Sequence, residues 1–171
     1  YLVQLDQGET YQVMAASNNT DLSGSTIVAT PSSGTCRPFA VFAGAQCTNI
    51  PNGCTACDHI FDQLLPTEAW GDEYYIVPFS GTSGYTYSVT ARDNGTSVTV
   101  DGGAPFVLNA GQSQFFNNVP TGVQVVGSAP IAVTQFMQGV TCSITGDPAM
   151  LSLNGDDQKI SNVTFSTVTS A

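Results

Sequence analysis

Apolar and polar residues alternate at period two along most of the chain, the spacing of strands that bury one face. Tyr1-Leu2-Val3-Gln4-Leu5-Asp6 alternates, Gln7-Gly8 supplies a turn, and Thr10-Tyr11-Gln12-Val13-Met14-Ala15 returns, which predicts a hairpin. A turn-rich loop from Asn18 to Gly24 feeds an expected strand, Thr26-Ile27-Val28-Ala29, broken by the stretch from Pro31 to Gly34. Phe39-Ala40-Val41-Phe42-Ala43 is a continuous apolar run, the pattern of a strand buried on both faces. Tyr74-Tyr75-Ile76-Val77 and Tyr85-Thr86-Tyr87-Ser88-Val89-Thr90-Ala91 are aromatic and β-branched and predict two more strands. Asp93-Asn94-Gly95 is a tight-turn signal because Asn-Gly tolerates positive φ, so Thr96 to Val100 should return antiparallel before Asp101-Gly102-Gly103 turns again. Helical spacing is nearly absent. One short turn is expected around Asp58 to Leu65, where Ile60 and Leu64, with Phe61 beside them, share a face and Pro66 ends it.

From Phe106 the chain repeats itself. Val107-Leu108-Asn109-Ala110-Gly111-Gln112-Ser113 echoes Gln4-Leu5-Asp6-Gln7-Gly8-Glu9-Thr10, and Pro130-Ile131-Ala132-Val133-Thr134-Gln135-Phe136 echoes Pro38-Phe39-Ala40-Val41-Phe42-Ala43-Gly44, with Cys142 where Cys47 would fall. The expected architecture is all-β: antiparallel, β-sandwich-like units with an internal duplication (pseudo-repeats roughly 1–57 and 98–146) inside one domain spanning residues 1–171, and a long loop stapled by disulfides.

Composition narrows the function classes. With three Lys and Arg against thirteen Asp and Glu, the net charge is −10. A nucleic-acid binder needs clustered cations to displace phosphate counterions, so nucleic acid and anionic membrane are excluded as partners. No run of apolar residues is long enough to span a bilayer. Charged residues are 9% of the chain while hydrophobic ones are 42%, so a core is affordable but ion pairs cannot be its cement. The chain starts at Tyr1 with no leader, the pattern of a mature or trimmed piece of a longer secreted or cell-surface protein. Asn18-Asn19-Thr20, Asn94-Gly95-Thr96 and Asn162-Val163-Thr164 are glycosylation sequons if the host glycosylates.

Five cysteines, Cys36, Cys47, Cys54, Cys57 and Cys142, are the structural disulfide candidates; four would pair by one of three connectivities and one would be left over. Cys54-Thr55-Ala56-Cys57-Asp58-His59 offers two thiols and an imidazole. It lacks the second pair that tetrahedral zinc needs and the βαβ setting of a redox pair, so no metal is assigned and the reading is structural. His59, with Gln63, is expected to be a buried plug. No nucleophile faces it, no Gly-x-Ser-x-Gly elbow exists, and no catalytic residue is assigned. Gly146-Asp147-Pro148 resembles an acid-labile self-cleaving motif, but Ala149 stands where the assisting histidine would, so cleavage is not expected. Trp70, Tyr74 and Tyr75 are the ligand-binding candidates, as a stacking platform for a sugar. No cofactor is assigned; calcium at Asp72-Glu73 or Asp156-Asp157 is the alternative to solvated turns.

A longer series of residues in one order resembles a known family. It includes Asp21-Leu22-Ser23-Gly24-Ser25, Pro38 to Gly44, Cys47-Thr48-Asn49-Ile50-Pro51, Cys57-Asp58-His59, Gln63, Pro66, Trp70-Gly71, Tyr74 and Pro78. It continues through Ala91-Arg92-Asp93-Asn94-Gly95-Thr96, Gly111, Pro130 to Val133, Gln135-Phe136, Gly139, Cys142, Asp147-Pro148-Ala149-Met150 and Gln158. The pattern is similar to the N-terminal domain of the IgG-Fc-binding protein family, found also in large bacterial surface proteins. The resemblance implies an extracellular, non-enzymatic module of adhesive or binding proteins, serving adhesion or display on a surface or filament. The acidic, lysine-poor balance suits a bacterial member, so Fc binding is not carried over, nor is any residue as a ligand contact. Partners are expected to be a protein or glycan on a surface, or neighbouring subunits or domains reached through a C-terminal edge strand from Val163 to Ala171.

Overall fold

In the computed structural model, residues 1–17, 20–30, 34 and 37–164 are described. Cys36, Asn18 and residues 165–171 of the expected C-terminal strand lie outside them; Val163 and Thr164 are not in a strand. The segments richest in β-branched and aromatic residues form the centre. Among the described residues nine antiparallel strands follow one another: β1 Phe42–Thr48, β2 Asp58–Gln63, β3 Gly71–Ile76, β4 Tyr85–Ala91, β5 Thr96–Val100, β6 Phe106–Leu108, β7 Ser113–Val119, β8 Val123–Met137 and β9 Ala149–Ser152. The chain is thus all-β, as its alternation predicts. The helical content among the described residues is two short 3-10 turns, Thr67–Ala69 and Asp156–Gln158.

β8 is the hub of a seven-stranded sheet made by β3 to β9. Its first half pairs with β3 and β5 (Val125 opposite Tyr74 and Val100), and its second half with β4 and β9 (Phe136 opposite Thr86 and Met150). The exchange of partners falls at Gly127–Pro130. There a β-carbon on Gly127 would lie 2.7 Å from the Ala129 carbonyl oxygen, and Pro130 offers no N–H to a ladder. β1 and β2 form a separate two-stranded hairpin, Phe42 opposite Gln63 and Gly44 opposite Phe61.

β4 lies between β7 and β8 and is covered on both faces, so Tyr85, Tyr87, Val89 and Ala91 join Tyr74, Ile76, Val98, Val125, Ile131 and Val133 in the core. Buried tyrosines need partners for their hydroxyls. Tyr74 Oη donates to the Ile131 carbonyl at 2.7 Å and Tyr85 Oη to that of Thr121 at 2.8 Å, while the Tyr87 ring stacks on Phe116 with centroids 4.7 Å apart.

Three expectations are corrected. Asp58–Gln63 is a strand, not a helical turn: with β1 alongside, its backbone satisfies a ladder, and the four-residue spacing of Ile60 and Leu64 yields to period two. Phe39–Ala43 is not a buried strand. β1 starts at Phe42, is paired among the described residues only with β2, and leaves Phe39 and Phe42 exposed. The strands read at residues 1–6, 10–15 and 26–29 carry the right alternation, yet among the described residues no neighbouring strand meets them and their large apolar side chains face solvent. The two pseudo-repeat stretches accordingly carry different elements, apart from one shared turn taken up below.

Candidate functional site

The irregular stretch after β1 is fastened at two points. Cys47, on β1, bonds Cys57, just before β2, closing a separation of 10 residues. Cys54 bonds Cys142 across 88 residues and ties the loop to the segment after β8. The Cys-x-x-Cys pair is thus split between two disulfides, and neither thiol is left to ligate or exchange. Polar contacts reinforce the same seam: the Gly139 N–H donates to the Ile50 carbonyl at 3.0 Å and Thr141 Oγ1 to that of Thr55 at 3.0 Å. Cys36 lies outside the described residues.

What plugs this corner is not His59 and Gln63. Alternation along β2 turns His59, Phe61 and Gln63 outward and Asp58, Ile60 and Asp62 inward, so the His59 side chain is 76% exposed and Gln63 is exposed too. The filling is done by Ile50, Cys54 and Gln138, all buried. Asp62 Oδ2 accepts the Ser152 N–H at 2.6 Å and so clips the hairpin to β9. Asp58 accepts the His59 N–H at 2.7 Å and lies 3.0 Å from His59 Nδ1. The backbone N–H first, then the ring, hold its carboxyl below the usual carboxylate range.

The outward face of the hairpin carries two exposed aromatic rings. The Phe42 and Phe61 rings stack at 5.2 Å between centroids with a 2° interplanar angle, 52% and 64% exposed respectively. Phe61 lies across from Gly44, where a β-carbon would sit 2.2 Å from the Ile60 carbonyl oxygen, so only glycine permits this strand spacing. Beside the stack a shallow cleft of about 260 Å³ is lined by Asp58, His59, Phe61, Pro148 and Met150. The sequence reading missed Phe42 and Met150. The available signal was the period-two placement of His59, Phe61 and Gln63.

The expected sugar platform is not one surface. Trp70 is half-buried with its indole N–H donating to the Leu65 carbonyl at 3.2 Å, Tyr74 is 1% exposed, and Tyr75, its neighbour on the opposite face of β3, is 57% exposed. Trp70 and Tyr74 line a small, partly open apolar cavity of about 80 Å³ with Leu64, Leu65, Val133 and Leu153. Tyr75 Oη donates to Glu73 at 2.6 Å, which with the Glu73 charge raises its pKa. The two acidic pairs do come together, since Gly71 and Gly155 let β3 and the turn at Asp156–Gln158 touch. Lys159 Nζ pairs with Asp156 at 2.7 Å, and Glu73 is held by Tyr75 and Gln124. Among the described residues no group of three or more His, Cys, Asp or Glu side chains is placed to hold a metal ion.

Comparison with known proteins gives two results. The profile of the family described as IgGFc binding protein matches residues 1–171. The human (Homo sapiens) IgGFc-binding protein is 32% identical over 93 residues, a stretch that is 54% of this chain and 2% of that protein. No solved structure matches the chain.

Proposed function

The chain belongs to the IgGFc-binding protein family over its whole length, and from that premise we propose that it is an extracellular, non-enzymatic module that binds protein for adhesion or display within a larger surface protein. The observation that supports this most is the rigidly seated aromatic pair, Phe42 on Phe61, presented to solvent on a hairpin stapled by Cys47–Cys57. Exposed aromatics on a fixed frame are the kind of residue on which protein interfaces concentrate their affinity. The flanking cleft adds Met150 and Pro148 as apolar contacts and His59 as a polar one. The Fc partner named for the human relative is not assumed, because the match spans 2% of that protein.

The test is capture of extracellular proteins on the immobilised chain, run beside Phe61→Ser and Tyr75→Ala, with a glycan array in parallel. Capture that is lost in Phe61→Ser and kept in Tyr75→Ala supports the reading. Glycan binding that is lost in Tyr75→Ala, with Phe61→Ser unaffected, would replace it with the carbohydrate alternative.

A further inference from the structure

One turn occurs twice. In Leu5-Asp6-Gln7-Gly8-Glu9-Thr10 the Glu9 N–H donates to the Asp6 carbonyl at 3.1 Å and the Asp6 N–H to Glu9 Oε2 at 2.9 Å, with Gly8 at φ +86°. In Leu108-Asn109-Ala110-Gly111-Gln112-Ser113 the Gln112 N–H donates to the Asn109 carbonyl at 2.9 Å and the Asn109 N–H to Gln112 Oε1 at 2.8 Å, with Gly111 at φ +75°. The sequence echo is thus a structural one, down to the reciprocal pair of hydrogen bonds.

The continuations differ. After the second turn the chain runs into β7, which is paired to β4 from Thr90–Ser113 to Tyr85–Val119. After the first, Thr10–Ala15 has the same alternation, but among the described residues no backbone hydrogen bond reaches it. Tyr11, Val13 (61%) and Met14 are exposed. A segment of strand-like alternation whose N–H and C=O groups no described residue meets has the pattern of a strand without a sheet.

The same chain carries a sheet edge that no described strand pairs. Among the described residues β7 pairs with β4 alone, and its sequence Ser113-Gln114-Phe115-Phe116-Asn117-Asn118-Val119 holds no lysine, no proline and no carboxylate, the usual guards of an edge. Phe115 on it is exposed. Residues 10–15 are equally uncharged. In a molecule of net charge −10, contact between two copies is opposed wherever carboxylates face each other, and these two stretches avoid that. They are also matched in length, six residues against seven.

We infer that two copies of this chain associate by strand addition, residues 10–15 of each lying along β7 of the other. Because each copy donates one strand and accepts one, the arrangement closes at two and presents no further free edge of this kind. The main chain supplies the hydrogen bonds, and the exposed apolar side chains of the donor strand lie down on the edge beside Phe115.

Sedimentation of the 171-residue chain from low to high micromolar concentration tests this. The expected result is a rise to twice the chain mass. Slowed amide exchange should accompany it over residues 10–15 and 113–119 and nowhere in residues 1–5. Val13→Pro, which removes an N–H that no described residue uses, should hold the chain at single mass with its circular dichroism and melting midpoint unchanged. A single mass at every concentration overturns the inference, as does a Val13→Pro chain that pairs like the parent. Exchange protection of both stretches that does not depend on concentration would overturn it too, because it would place the strand on its own chain's β7.

Discussion

Asp62 reaches across from β2 to take the backbone N–H of Ser152 on β9 at 2.6 Å, and this contact joins the aromatic hairpin to the sheet. A carboxylate acceptor for a half-buried amide contributes about 1.5–3 kcal/mol, and deletion leaves the donor unsatisfied. Asp62→Ala should therefore lower the free energy of unfolding by about 1–3 kcal/mol, while Asp62→Asn, which keeps an oxygen in place, should recover most of it. Urea titrations of the three proteins decide the matter. Equal losses in Ala and Asn would show that charge, not the hydrogen bond, holds the hairpin.

The two disulfides should differ in worth because they close loops of different length. Loop-closure entropy gives about 2.7 kcal/mol for a separation of 10 residues and about 4.6 kcal/mol for one of 88. Cys54→Ala with Cys142→Ala should accordingly destabilise more than Cys47→Ala with Cys57→Ala, and burial of Cys54 adds to the difference. Guanidinium midpoints of the two double variants check the order. The reverse order would mean that the described seam between the loop and the segment after β8 persists without its covalent link.

Gly44 tests the hairpin's packing. A methyl at this position meets the Ile60 carbonyl oxygen at 2.2 Å, and backbone on a paired strand cannot step aside as a side chain does. Gly44→Ala should cost about 1–3 kcal/mol, in the range of overpacking. It should also displace Phe61, loosening the stack on Phe42. Thermal midpoints report the first effect and near-ultraviolet dichroism the second.

How far the sequence foretells this molecule depends on whether a segment's partner is near. Thr96–Val100 was readable to the residue because β6 returns against it just after Asp101-Gly102-Gly103, but the hairpin read at Asn94-Gly95 does not form: β5 pairs with β6 and β8, and β8 lies between it and β4. Pro130–Phe136 falls within β8 because its apolar alternation coincides with a real burial on both edges. The same alternation at Leu2–Leu5 and Thr10–Ala15 produced no strand although the expected hairpin partner is one turn away, because alternation says which face a strand would bury and not that another strand meets it. His59 looked like a plug because cysteines and apolar residues flank it in sequence. On a strand its neighbours point the other way, and the ring is left outside. The Cys54–Cys142 bond was out of reach for a related reason: spacing constrains short loops, and 88 residues constrain nothing.

Alkaline pH should unfold the domain through its core tyrosines. Burial pushes the Tyr85 hydroxyl up to about 12 from an ordinary value of 10.0, and burial raises Tyr87 and Tyr74 in the same direction. A raised folded-state value means that the unfolded chain gives up its protons first. Between pH 10 and about 12 the folded state holds more protons than the unfolded one, and stability falls as pH rises. The contribution is complete below pH 10 and is lost through that window. Tyr85→Phe removes one such group together with its bond to the Thr121 carbonyl, so it should be less stable than the parent at neutral pH yet lose less per pH unit above 10. Urea midpoints measured from neutral to strongly alkaline pH, with tyrosinate absorbance followed in parallel, supply both slopes. Parallel slopes for the parent and Tyr85→Phe would mean that Tyr85 titrates in the folded state as freely as an exposed phenol, contrary to its complete burial on β4 between β7 and β8.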